Sequence, residues 1–237
     1  MADNRKKKKK RRKKRKNPVP VIILIIVIAA AAFFGVRYVR KQVDTLQAET
    51  NKLIVLDIDN GAVDMRLYTS GNYAVVEETV KSYVAEYMED LRQLRQFRND
   101  DRLTSMLGET NLSTDGPEFK SSRVYIQEKR NALNLLVKDL KAMRTEERMM
   151  EAFEETGLKK FFRDLYREQM LEGLTTDYFY SDAAVDAAAA EISAYLDAKD
   201  AVLNFLKENS EGWTLKDGVL QFKTEELLAA YKELTAS

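Results

Sequence analysis

RRKKRKNPVPVIILIIV, residues 11–27, passes from unbroken positive charge to unbroken hydrocarbon within four residues. Upstream, the basic run comprises Arg5, Lys6, Lys7, Lys8, Lys9, Lys10, Arg11, Arg12, Lys13, Lys14, Arg15 and Lys16. Downstream, the 18 residues from Val19 to Val36 carry no charge. As a helix rising ~1.5 Å per residue they would span ~27 Å, close to the ~30 Å hydrocarbon thickness of a bilayer. Pro18 and Pro20 stand at the start, where a helix tolerates missing N–H donors. Arg37 and Tyr38 at the far edge suit a membrane interface. Twelve positive charges precede the run and three (Arg37, Arg40, Lys41) follow it. By the positive-inside rule the N-terminus is cytoplasmic and the chain beyond residue 37 lies outside. The predicted layout is a polybasic tail at 1–18 and a transmembrane helix at 19–37.

The junction admits two other readings. A basic run alone suits a nuclear-localisation or nucleic-acid-binding tail, but the abutting apolar run favours a membrane. A cleaved signal peptide would use Val19 to Ile28 as its core and Ala29 to Ala32 as its cleavage site. The apolar run instead continues through Phe33 and Phe34 without a polar region, which favours an uncleaved anchor. Near an anionic inner leaflet each basic residue of the tail contributes roughly 1 kcal/mol of membrane attraction, screened within a Debye length.

The formal net charge of +1 conceals a segregation. From residue 42 onward 24 Lys plus Arg face 37 Asp plus Glu, a net charge of −13. A body so acidic repels nucleic acid, whose binding rests on neutralising phosphates. The chain contains no Cys and no His. Disulfides, thiol catalysis and cysteine metal sites are therefore excluded, as are the commonest neutral-pH general base and metal ligand. No G-x-S-x-G, S-x-x-K, P-loop or G-x-G-x-x-G occurs. The sequence thus predicts no catalytic residue, no metal and no cofactor.

Residues 38–56 read as a juxtamembrane helix. Val36, Val39, Val43, Leu46 and Leu53 follow a weak heptad spacing. Val39, Val43, Leu46 and Leu53 are thus a candidate homodimer contact, or else the face of a stalk that packs on its own domain. An outer domain at 57–237 follows. Asp57, Asp59 and Asp64 surround Asn60-Gly61, but the EF-hand register fails, since its sixth and twelfth positions hold Ala62 and Tyr68. A turn is the reading.

Beyond it the spacing predicts helices over 73–98, over 119–143 after a first-turn Pro117, over 145–157, over 158–171 stopped by Gly173, and over 182–207. Arg92, Arg95, Arg98 and Arg102 form a basic patch that either binds an anion or pairs with the domain's own carboxylates. Tyr178, Phe179 and Tyr180, together with Trp213, are candidate ligand-stacking residues. WTLKDGVLQF, residues 213–222, reads as a hairpin with an Asp217-Gly218 type I′ turn. Its register pairs Trp213 with Phe222 and Leu215 with Leu220, and Thr224 caps a final helix.

The fold expected is all-α: one N-terminal transmembrane helix plus an extracytoplasmic antiparallel helical bundle with a small C-terminal β-hairpin. The layout resembles, in architecture alone, the small single-span division proteins of bacterial envelopes. The function expected is non-enzymatic: a single-pass plasma-membrane protein whose outer domain contacts an envelope partner, with a homodimer as a further partner state. The alternative is a helical bundle that binds a lipid, glycan or small molecule.

Overall fold

A computed structural model describes residues 19–175 and 181–236, with side chains described from residue 30 to 171 and from 181 to 236. The chain divides after Asp44 into two compact units. Helix α1, Val19–Ile54, supplies residues to both. In the first unit Phe33, Phe34, Val36 and Tyr38 are exposed, and Phe33 meets Phe34 edge to face. Among the described residues no helix is long and apolar enough to cross a membrane. The side chains of residues 19–29, which open the predicted span, lie outside those described. The basic tail, Arg5 to Lys16, lies outside them entirely.

The second unit begins at Thr45, so the last turns of α1 belong to it. It is mostly helical. Its elements are α2 (Asn72–Gln96), α3 (Asp101–Thr104), α4 (Glu109–Thr114), α5 (Lys120–Ala142), α6 (Glu146–Glu154), α7 (Lys160–Thr175), α8 (Asp182–Glu208), strands β1 (Trp213–Lys216) and β2 (Val219–Phe222), and α9 (Glu225–Ala236). Helix α2 is the hub. Its stripe of Val76, Val80, Tyr83, Val84, Tyr87, Leu91 and Leu94 is buried, against α5, α6 and α7.

Charge pairs set the direction of the helices. Along α5 and α8, Arg123 meets Asp200, Arg130 meets Asp197 and Asp200, and Lys141 meets Asp186, while just past the end of α5 Arg144 meets Asp182. Numbers rise on one helix as they fall on the other, so the two run antiparallel. Arg163–Glu154 and Arg167–Glu146 show the same for α6 and α7. Half-exposed pairs of this kind contribute little each. Their value is register, because a one-turn slip would leave every pair mismatched. The apolar seam of α5 holds the contact: Ile126, Leu133 and Leu140 are buried, as are Ile192, Leu196 and Leu203 of α8.

Several boundaries follow from capping chemistry. Thr145 and Ser181 cap α6 and α8 by accepting the Arg148 and Ala184 N–H groups. Gly157 follows α6 in a left-handed conformation (φ 66°), where a Cβ would be strained. Two expectations are corrected. Pro117 is not at the first turn of α5; it lies in the preceding turn, and α5 starts at Lys120. The Asp115 carboxylate accepts the Ser121 and Ser122 N–H groups and so satisfies that helix start. Gly173 does not stop α7, which continues to Thr175.

The hairpin has the predicted register, with Trp213 opposite Phe222 and Leu215 opposite Leu220. Asp217 and Gly218 both have positive φ (52° and 77°), as a type I′ turn requires. A two-stranded hairpin is marginal alone. Here Trp213 is buried, stacks on Phe119 at 6.3 Å and donates its indole N–H to the Leu206 carbonyl at 2.7 Å. Phe222 lies between Phe205 and Tyr231, so α8 and α9 share the hairpin's apolar face.

Candidate interaction surface

The segment between α1 and α2 is fastened at two points and open along its edge. The first fastening is the Asp57–Gly61 turn. The Asp57 carboxylate accepts the Asp59 N–H at 2.9 Å and the Asn60 amide at 3.0 Å, while the Gly61 N–H donates to the Asp57 carbonyl at 2.7 Å. A Cβ on Gly61 would stand 2.4 Å from the Asp57 carbonyl oxygen, so the turn closes only on glycine. From α2, Arg92 donates to the Ile58 and Gly61 carbonyls and Arg95 pairs with Asp59. Arg98 pairs with Glu191, and Arg102 donates to Ser121 and lies over the Tyr125 ring. The arginine patch thus serves the domain's own carboxylates and carbonyls. Among the described residues no group of three acidic side chains could hold a metal ion.

The second fastening is a buried charge cluster. Lys81 and Glu77, one turn apart on α2, are each 1% exposed, and Glu49 of α1 is 6% exposed. The Lys81 ammonium donates to Glu77 at 2.6 Å, to the Arg66 carbonyl at 2.6 Å and to Glu49 at 3.5 Å. Glu77 also accepts the Tyr68 and Thr69 N–H groups and the Thr69 hydroxyl, the last at 2.7 Å. Lys52 pairs with Glu49, which brings the four charges to balance. The Tyr68 ring lies near both ammonium groups, 5.1 Å from Lys52 and 5.0 Å from Lys81. Burial pushes the Glu77 carboxyl up, but Lys81 and the Thr69 and Tyr68 donors outweigh it and leave it below its ordinary value. Every Lys81 proton has an acceptor, the condition under which a buried ion is tolerated.

Between these points residues 62–69 run without helix or turn. Arg66 and Tyr68 direct their N–H groups to Asp64 and Glu77. The backbone N–H and C=O groups of Val63, Met65 and Leu67 have no partner among the described residues. Their side chains alternate with the charged ones, and Met65 and Leu67 are 48% and 43% exposed, with Tyr68 at 46%. Asp64 and Arg66 pair with each other at 2.7 Å. The Arg66 guanidinium and N–H, joined by the Tyr68 hydroxyl, hold the Asp64 carboxyl well below the usual range.

The residues singled out from sequence are distributed differently. Leu46 and Leu53 are buried within the domain, whereas Val39, in the first unit, is exposed and Val43 half-buried. Trp213 is a packed core residue, not an open stacking surface. Tyr178, Phe179 and Tyr180 lie outside the described residues. Missed entirely were Glu49, Glu77 and Lys81. Their available signal was the Glu77/Lys81 pair at i,i+4, set beside the apolar stripe of α2.

A concavity of about 510 Å³ lies beside α8, where Leu107, Val202 and Leu234 form an apolar wall and Arg98, Glu191, Tyr195 and Lys199 its polar part, Arg98 being paired there with Glu191. Lys199 has no carboxylate partner among the described residues, lies 5.3 Å from the Tyr195 ring centre, and burial pushes its ammonium down from the ordinary value. Comparison of the chain with family models, with curated proteins and with solved structures finds no match.

Replacing Lys81 by Met leaves two buried carboxylates facing each other, so the domain should lose about 3–5 kcal/mol, measured by urea denaturation of the full chain. Acid should act on the same groups. Glu77 is depressed from 4.5, and Asp100, which Lys129, Tyr125 and the Leu103 N–H hold down against its burial, falls to about 2. A depressed carboxyl stabilises above its unfolded value, and that contribution is lost as pH falls through the folded one. The urea midpoint should therefore be flat above pH ~5 and decline from there toward pH ~2. In Glu77→Gln the upper part of that decline should flatten.

Proposed function

We propose that the chain is a non-enzymatic, single-span membrane protein whose acidic helical domain lies outside the cytoplasm and docks another envelope protein. The uncharged run Val19 to Val36, behind 12 consecutive basic residues, supports the anchor and its orientation. The basic tail then rests on the anionic inner leaflet. One observation carries the docking role. The apolar edge of Met65 and Leu67 is exposed, yet the backbone beside it is fixed by fully satisfied buried charges. A domain gains nothing in its own stability from displaying such an edge, whereas a partner gains a surface that needs no ordering on contact.

Expression of the full chain in a bacterial host, with protease applied to intact spheroplasts, tests this reading. The expected result is full-length protein in the membrane fraction whose C-terminal domain is digested from outside. A protected domain, or a soluble product starting near Ala32, would refute the topology.

A second reading rests on the concavity beside α8. Lys199, which has no carboxylate partner among the described residues, and Tyr195 beside an apolar wall suit a small amphiphilic anion, a carboxylate or phosphate with a hydrocarbon or aromatic body, while Arg98 is already paired with Glu191. The fluorescent anion anilinonaphthalene sulfonate should bind saturably, and Lys199→Met should weaken it by about tenfold, the value of one charge-assisted hydrogen bond. Absence of saturation, or indifference to the substitution, excludes this site.

A further inference from the structure

The edge at residues 62–69 is complementary to itself. Laid antiparallel on a second copy about Met65, it places Met65 opposite Met65, Val63 opposite Leu67, and Asp64 opposite Arg66. Apolar residues meet apolar residues and each acid meets a base. We propose that this edge pairs with the same edge of a second copy, forming a two-stranded antiparallel ribbon about a two-fold axis through Met65. The proposal rests on the membrane tether described above, since a short ribbon is marginal in free solution and a shared bilayer raises the effective concentration.

Hydrogen bonding selects this edge and this register. In an antiparallel pair, residues that exchange N–H···O bonds alternate with residues that do not. The bonding residues would be Val63, Met65 and Leu67, whose backbone groups have no partner among the described residues. The non-bonding ones would be Asp64 and Arg66. Arg66 already spends its N–H on Asp64 and its carbonyl on Lys81. Side chains approach most closely at non-bonding pairs, which is where the opposite charges fall. The charges that pair within one copy, Asp64 with Arg66 at 2.7 Å, would be shared across both. The opposite face of the ribbon would carry Val63, Met65 and Leu67 of each copy as one apolar surface, and the buried cluster at Lys81 would hold each strand's inner side. A two-fold, isologous contact closes on itself and yields a dimer rather than a filament.

The chain has no cysteine, so single-cysteine variants report the pairing directly. Opposed residues of a hydrogen-bonded pair stand ~5.5 Å apart at Cα, within reach of a disulfide, while residues two positions off the axis, offset from their copies by four residues along the strand, stand more than ~10 Å from them. Full-length Met65→Cys in membranes, mildly oxidised, is expected to form a disulfide-linked dimer, while Leu67→Cys and the hairpin control Gln221→Cys remain monomeric. An equal mixture of Val63→Cys and Leu67→Cys chains, differently tagged, should yield the mixed dimer.

Charge reversal supplies the second arm, read as crosslinked Met65→Cys dimer. Asp64→Arg and Arg66→Asp should each lower the yield by about tenfold, and co-expression of the two should restore it as a heterodimer. Met65→Cys crosslinking no better than Gln221→Cys, or co-expression without recovery, overturns the proposal. Leu67→Cys crosslinking as well as Met65→Cys overturns the register. Membrane fractionation of the same samples reads the tether separately: membrane-bound chain without Met65→Cys crosslinks refutes the ribbon and leaves the anchor standing.

Discussion

One buried ammonium organises the N-terminal side of the domain. Lys81 takes its three acceptors from three separate parts of the chain: Glu77 from its own helix, Glu49 from α1 and the Arg66 carbonyl from the connecting segment. An ammonium removed from water tolerates little displacement of its acceptors, because a lost partner costs far more than an ordinary hydrogen bond. The cluster therefore fixes geometry where apolar packing alone would permit sliding. Glu77 extends the constraint by collecting the Tyr68 and Thr69 donors, so an irregular segment is held as firmly as a strand in a sheet.

The opposite side of the domain is specified by another means. Along α5 and α8 the hydrophobic seam supplies the attraction, and a ladder of half-exposed ion pairs supplies the register. The acidic excess of the sequence is partly explained by this use: Asp186, Asp197 and Asp200 face cations of α5, and Asp182 faces Arg144 just beyond its end. The arginines of α2 do similar work in holding carbonyls and carboxylates of the Asp57–Gly61 turn. Charge in this domain is mostly spent on its own architecture, and the surface left for contacts is correspondingly narrow.

Local chemistry explains what was legible in the sequence. The hairpin could be read to the residue because Asp217-Gly218 dictates the turn and two-residue turns dictate register. The α2 and α5 stripes were legible because each buries one continuous face. Pro117 and Gly173 misled because each was read by its common role, while tertiary contacts decided: Asp115 moved the start of α5, and α7 ran on past its glycine. The Lys81 cluster was illegible for a different reason. Glu49 lies 28 and 32 residues from Glu77 and Lys81, on α1 rather than α2, and charged residues beside an apolar stripe ordinarily mark a solvated boundary. Leu46 and Leu53 were equally ambiguous, since a heptad looks the same whether it faces a second chain or its own domain.

Trp213 is the chain's single tryptophan, and it sits stacked on Phe119 with its N–H bound to Leu206. All indole emission therefore originates at the junction of the hairpin, α8 and the turn before α5. The protein thus carries its own optical probe of hairpin docking, in a place that neither the apolar edge nor the charge cluster touches. Release of the hairpin would shift that emission to the red while leaving far-ultraviolet ellipticity, dominated by the long helices, nearly unchanged. A spectroscopist could in this way separate loosening of the C-terminal cap from melting of the bundle without adding a label.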